Sequence, residues 1–532
     1  MAGVAATARE RELRTPRDLH HEAYETAAGC TRCHAEHAQS FGRTFHRTMT
    51  REAKGADVRA PFAGETVSYF GVPATMDKRA DGTPRMHWGG RTVEIALTVG
   101  SRRYQQYIGR VGGALQRLPW AYHLEERRWF HMNGAFLTAD PTLPVTDADY
   151  TRHVTRWNDN CIFCHNVRPN PGLRAGSFDS TVEELGIACE ACHGPARAHA
   201  RANLDPLRRY RLHLSRSADP TIVNPARLSQ ERSLDVCGRC HGQRITDDVA
   251  AFLHEGDPFV PGDDLSLYSA PLWQDTTLDG EPGRFASRFW DDGTPRLTAY
   301  EYQGVLQSPC MKDGAFTCLS CHDMHAGDPH GQLRPDRTRD QLCTQCHTKV
   351  DADHAKHPAR SGVTCIDCHM PSVVYGVMAS HASHRIEIPD LTRAQERDRP
   401  DACTLCHVDR SRAWDTQTFS QAEQQLFGGD PLTRALTAAA YAHERLAGAT
   451  RARSNALLLE VMEHDPYPGV RHLAYRSLLA RESVPTDYVP EGTPDERAAH
   501  VRALRARLPH DTLPALDALR AHANDRAIDI GE

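Results

Sequence analysis

The stretch Thr317-Cys318-Leu319-Ser320-Cys321-His322-Asp323-Met324-His325 holds two cysteines three residues apart, with a histidine directly after the second. On a helical turn, positions i, i+3 and i+4 share one face. Two thiols so placed can each add to one vinyl group of a haem, and the adjoining imidazole reaches the iron from the same side. Tether and proximal ligand are thus coded in five residues. The same Cys-x-x-Cys-His string occurs at Cys30/Cys33/His34, Cys161/Cys164/His165, Cys189/Cys192/His193, Cys237/Cys240/His241, Cys343/Cys346/His347, Cys365/Cys368/His369 and Cys403/Cys406/His407. Eight copies use sixteen of the seventeen cysteines, where chance at this composition gives roughly 0.03 copies.

Three other uses of paired cysteines fit less well. Tetrahedral zinc has no need of a histidine after every second cysteine. Redox-active Cys-x-x-Cys sites come singly, beside a βαβ pattern that this chain lacks. Disulfide frameworks belong to short secreted domains. The pattern predicts eight covalently bound haem c groups, with His34, His165, His193, His241, His322, His347, His369 and His407 as proximal iron ligands.

Motif spacing divides the 532 residues into an N-terminal segment 1–29, a first haem module 30–55, a β-rich insert 56–150, a seven-haem core 151–410 and a helical region 411–532. Successive motifs lie as close as Cys343 and Cys365, which leaves one helical turn and a loop per cofactor. The porphyrins must then supply much of the core, in keeping with a hydrophobic content of only 40%. The expected fold is a multihaem c-type cytochrome, mainly α with much irregular structure around packed haems, a small antiparallel β insert and a HEAT-like α-helical C-terminal region. Thr66 to Phe70, Thr92 to Val99, Arg103 to Ile108 and Arg128 to His131 read as strands, separated by Gly/Pro/Asp turns. Residues 255–300 read as a long ordered loop over the haem core. After Trp414 there are no cysteines, and Asp430 to Leu446, Thr450 to His464 and Gly469 to Arg481 show helical periodicity. In Asp465-Pro466-Tyr467-Pro468-Gly469-Val470-Arg471-His472-Leu473-Ala474, Val470 and Ala474 pack and Arg471 caps or pairs; the region is either a docking surface or a cap that stabilises the haem domain.

Net charge is −6, which leaves no footprint for nucleic acid, and no apolar run approaches the roughly 18 residues of a transmembrane segment. Haem attachment to these motifs places the protein in the periplasm or outside the cell. Met1 to His20 has no apolar core, so the export signal is expected to lie outside the given chain.

Distal ligands are expected among the remaining histidines, and two imidazoles per iron favour low potentials. His46 follows the first motif by one short helix, with Met49 as an alternative. His199 and His325 lie too close to their own motifs to return to the same iron, so each should reach a neighbour. His354 or His357 precedes the seventh motif and His384 follows it. His87, His123, His131, His153, His213, His254, His330 and His381 read as uncommitted surface histidines.

The strings Cys189-Glu190-Ala191-Cys192-His193-Gly194-Pro195, Thr317 to His325 and Cys365-Ile366-Asp367-Cys368-His369-Met370-Pro371 resemble the multihaem superfamily of the nitrifier tetrahaem cytochrome, pentahaem nitrite reductase and octahaem hydroxylamine oxidoreductase. The order of a lone first motif, a β insert ending in Trp157-Asn158-Asp159-Asn160-Cys161 and seven further motifs is similar to a bacterial octahaem family. The resemblance implies stacked haem pairs and carries His199, His325 and His384 over as distal ligands. It implies electron transfer with redox partner proteins, either other cytochromes or a quinol-linked membrane complex. An octahaem oxidoreductase of nitrite, hydroxylamine or tetrathionate type, acting on a small-molecule electron acceptor at one open iron, is the alternative; a subunit of an extracellular haem filament is a minor one. No catalytic signature is complete. All eight motifs end in histidine, and Tyr300, Tyr302, Lys312, Met311 and the odd thiol Cys310 are the residues an enzyme would draw on.

Overall fold

Eight antiparallel strands between Thr50 and His131 form the largest regular element of the computed structural model: β1 (Thr50–Glu52), β2 (Glu65–Tyr69), β3 (Val72–Lys78), β4 (Pro84–Trp88), β5 (Arg91–Val99), β6 (Tyr104–Val111), β7 (Ala114–His123) and β8 (Arg128–His131). The model describes residues 19–528 apart from 298, 328–330, 352–353, 358–360, 376–377, 397–398, 412–418, 444–449, 486, 514–515, 522 and 526–527. Most of segment 1–29, the boundary at Trp414, the end of the Asp430 to Leu446 helix and His330 therefore lie outside the described residues.

The strands follow one another as β2-β3-β4-β5-β6-β7-β8, with β1 beside the far end of β5. Tight turns set this order. Trp88 pairs with Arg91 across Gly89-Gly90, and Val111 with Ala114 across Gly112-Gly113. All four glycines have positive φ, the requirement of a two-residue hairpin whose twist matches the sheet. Pro119, in the middle of β7, is accommodated by a register shift opposite Tyr107, where the ladder does not need its missing N–H. One apolar cluster is built from Tyr69, Met76, Met86, Trp88, Tyr107 and Trp120.

This sheet overturns the expectation of a mainly α fold with a small β insert. β3 and β4 contain Pro73, Asp77, Lys78, Pro84 and Met86, which are weak strand formers; they are strands because hairpin pairing and burial of Met76, Met86 and Trp88 override propensity. Helices around the cysteine motifs are short, four residues at Glu190–His193 and five at Cys365–His369, so the motif-bearing region adds little helix.

The C-terminal helices are Gln421–Gly428, Pro431–Ala440, Arg451–His464, Pro468–Arg481, Pro494–Arg505 and Leu516–Arg520. Capping boxes Ser420/Glu423 and Thr493/Glu496 start two of them, and Asp430 and Thr450 cap two more. Val470 and Ala474 are buried, and Arg471 is fully enclosed and paired. Leu432, Leu457, Val470 and Leu473 share one core with Phe285, Phe289, Trp290 and Tyr300, and with Leu405 and Val408 around the last motif. Within segment 255–300, Asp257 and Asp264 pair with Arg239 and Arg232 around the fourth motif, whereas Leu272, Phe285, Phe289, Trp290 and Tyr300 pack on the helical region. These apolar side chains find their burial there.

His131 is fully buried in the sheet, stacked on Tyr69 with centroids 3.9 Å apart. Burial pushes its pKa from 6.5 down to about 3. Between those values the unfolded chain binds the proton and the native chain does not, so stability falls as pH drops through that window. Denaturant midpoints measured from pH 7 to pH 4 should decline, and His131→Gln should flatten the decline by up to about one bound proton. An unchanged slope would remove His131 from the account.

Candidate haem-binding centres

Every one of the eight motifs is a helical turn. The histidine amide donates to the carbonyl of the first cysteine at His34 (2.9 Å), His165 (3.2 Å), His193 (3.0 Å), His241 (2.9 Å), His322 (2.9 Å), His347 (3.0 Å) and His407 (2.7 Å), and Cys365–His369 is an α-helix. Capping boxes Thr317/Ser320 and Thr364/Asp367 begin the turns at Cys318 and Cys365. Gly194, at φ 72°, ends the turn after His193. No disulfide joins any cysteine, including Cys33, Cys164, Cys192, Cys240, Cys321, Cys346, Cys368 and Cys406 at the second motif position. Nδ1 of His193, His322 and His369 lies 2.7, 2.9 and 2.7 Å from the carbonyls of Val223, Gly331 and Glu387. Nδ1–H must donate there, so Nε2 keeps the lone pair that a metal requires.

Six of the proximal imidazoles face a second imidazole from another part of the chain. The pairs are His34 with His199 (centroids 6.3 Å apart), His193 with His325 (5.9 Å), His241 with His46 (5.9 Å), His322 with His384 (6.4 Å), His369 with His354 (5.7 Å) and His407 with His357 (6.0 Å). Planes are within 19° of parallel in four pairs, tilted 32° at His357 and 66° at His46. Nε2 of His354 and Nε2 of His369 face each other at 3.5 Å. Two metal–imidazole bonds of about 2 Å on opposite sides of one iron put ring centroids about 6 Å apart, so the donor set fits the group that the motifs call for.

His199 and His325 do reach neighbouring motifs. His354 and His357 face two different ones, and His46 meets His241 rather than the nearby first motif. His37, three residues after His34 as His325 is after His322, stacks on His325 at 4.4 Å; the repeated Cys-x-x-Cys-His-x-x-His spacing was the signal that could have marked it. Among the described residues His347 is in no such pair. His165 follows Ile162, which packs with Val99, Ile108 and Trp157.

Comparison with known proteins finds similarity to haem proteins over parts of the chain. A cytochrome c552 family model matches residues 353–465, and a doubled CXXCH motif model matches 309–352. The multihaem cytochrome MtrA of Shewanella baltica (strain OS185) is 25% identical over 263 residues, covering 47% of this chain and 53% of MtrA. The chain thus spans about half the length of that relative. The crystal structure of the outer cell wall cytochrome OcwA superposes over 91% of this chain and 99% of its own, with TM-score 0.50 and 16% identity. That likeness is one of fold. An undecahaem cytochrome from the S-layer of Carboxydothermus ferrireducens gives TM-score 0.37 at 16% identity. Over these parts of its length the chain is similar to multihaem c-type cytochromes. No helix among the described residues is long and apolar enough to cross a membrane.

Within the chain, cysteines of different motifs face one another. Cys30 faces Cys189, Cys164 faces Cys240, Cys237 faces Cys318, and Cys343 faces Cys365. Cys192 lies near Cys240, Cys321 near Cys343, and Cys403 near Cys368. The motifs therefore follow one another in space as first, third, fourth, fifth, sixth, seventh and eighth, with the second joined at the fourth. Burial holds several of these thiols protonated, Cys192 up to about 12 and Cys321 and Cys403 to about 11. Cys310 neighbours Cys321 and Cys343, whereas Lys312 is exposed. Tyr300 lies in the apolar core of the helical region, and the Tyr302 hydroxyl donates to Asp235 at 2.7 Å.

Close backbone approach positions His384. A Cβ on Gly304 would lie 2.8 Å from the Arg385 nitrogen and 3.3 Å from His384 Cβ. Gly304→Val should push His384 away from His322 and remove one low-spin haem signal from the EPR spectrum of the holoprotein; an unaltered spectrum would contradict this placement.

His123, Glu126 and His472 bring three possible metal-ligand atoms within 4.8 Å. The surroundings favour a clamp over a cation. The Glu126 amide donates to His123 Nδ1 at 3.1 Å, so Nε2 of that ring carries its proton. Arg128 and Arg476 already approach the Glu126 carboxylate, at 2.8 and 3.5 Å. These contacts tie the turn between β7 and β8 to the helix Pro468–Arg481.

Proposed function

We propose that the chain carries eight covalent haem c groups, one per motif, and conducts electrons along them in the periplasm or outside the cell. Bound haem supplies a one-electron iron couple. The chain's own residues do the rest. Each cysteine pair tethers a macrocycle, and the histidine that follows ligates from the proximal side. His46, His199, His325, His354, His357 and His384 would supply the second imidazole to six of these groups, a ligand pair that favours low potentials. The six facing imidazole pairs carry this reading, since each joins a motif to a histidine that local sequence does not place there.

The facing cysteines give the order of transfer. Charge entering at the first motif passes the third and fourth, and continues through the fifth to the eighth. Redox partners would be other cytochromes or a quinol-linked membrane complex. The motif strings and their order support placement in the superfamily of the nitrifier tetrahaem cytochrome and octahaem hydroxylamine oxidoreductase. EPR of the oxidised holoprotein tests the ligation. At least six low-spin bis-imidazole ferric haems are expected, and a spectrum dominated by high-spin iron would contradict it.

A further inference from the structure

We propose that Glu301 makes the haem held by Cys237, Cys240 and His241 the hardest in the chain to reduce, by placing a buried carboxylate behind its proximal ligand. This rests on the proposed haem occupancy. Nδ1 of His193, His322 and His369 points at backbone carbonyls, which are neutral. Nδ1 of His241 instead has Glu301 Oε2 at 3.7 Å. The Glu301 side chain is 17% exposed, and its other oxygen lies 3.6 Å from His381 Nε2. His381 is half-buried, near Arg102 and Arg103, and desolvation lowers its pKa.

The physical consequence follows from charge. Oxidised haem iron carries one more positive charge than reduced iron. A carboxylate enclosed beside the proximal imidazole favours the oxidised state through its negative charge. A carbonyl dipole does the same more weakly. The contrast matters because of where this motif sits. Cys164, Cys192 and Cys318, each from a different motif, lie beside Cys237 or Cys240. The group at this junction is then the last to fill, so electrons collect on the flanking haems and cross the junction singly.

The test is a spectroelectrochemical titration of the holoprotein. Glu301→Gln keeps the shape and removes the charge. The lowest-potential wave should move upward by a factor of ten or more in its oxidised-to-reduced ratio, about 59 mV for one electron, with the other waves fixed. Glu301→Asp should fall between the two. An unmoved lowest wave, with haem content and low-spin signals intact, would overturn the inference and leave the haem reading standing. Should Glu301→Gln fail to mature, the variant lacking Cys237 and Cys240 decides. Loss of the lowest wave supports the assignment, and its persistence overturns it.

Discussion

Replacing Cys237 and Cys240 with serine is expected to break the conducting chain at its junction, leaving the first and third motifs, the second alone, and the fifth to eighth as separate groups. Haem content, read by pyridine haemochrome absorbance, should fall from eight to seven per chain, about one eighth of the signal. The kinetic effect should be far larger than this loss. The fourth motif touches the second, third and fifth through Cys164, Cys192 and Cys318. Its removal separates these groups from one another. Reduction by a donor acting at one end should then become biphasic, with the haems cut off from the donor filling slowly. The same pair of changes at Cys403 and Cys406, at the end of the series, should remove one haem and leave a single phase. Equal kinetics in the two variants would refute the order of the motifs in space.

Arg471→Met is expected to cause the largest loss of stability available from one side chain in the helical region. The guanidinium is fully buried. It donates to the Pro490 carbonyl at 2.8 Å, to the Asp465 carbonyl at 2.6 Å, and to both oxygens of Asp140 at 3.0 and 2.8 Å. Arg497 reaches one oxygen of the same carboxylate at 3.0 Å and cannot replace the two-pronged contact. Breaking one side of a buried charge pair costs about 3–5 kcal/mol, chiefly because the remaining charge loses its partner. The midpoint for unfolding of the helices, followed by far-UV circular dichroism in denaturant, should drop by that amount. Arg471→Lys should recover only part, since an ammonium cannot span both carboxylate oxygens and two carbonyls. A loss under about 1 kcal/mol would show that the pair is solvated.

The haem motifs were legible because their chemistry is local. Two thiols and an imidazole on one turn need only five residues, and each of the eight strings forms that turn. The direction of His199 and His325 away from their own motifs could be read for the same reason, since three to six residues give no room to return. What the chain does over distance was not legible. Nothing near His46 says that its ring meets His241, and nothing near His357 separates it from His354. Both assignments depend on how loops cross the motif-bearing region. Glu301 went unread because attention falls on its neighbours Tyr300 and Tyr302, and its value comes from a histidine sixty residues earlier. The sheet was under-read for another reason. Local composition marks β2, β5 and β8, but β3 and β4 owe their extended form to the hairpins on either side, and β7 hides behind Pro119.

Conduction along this chain depends on the number of macrocycles joined to the polypeptide. Intact-mass spectrometry of the chain, matured in a host with the c-type attachment machinery and measured under denaturing conditions, reports it directly. The mass expected is that of the processed polypeptide plus eight haems, with none released by acid. A polypeptide that keeps free thiols at several motifs, or that sheds its haem on denaturation, would contradict it.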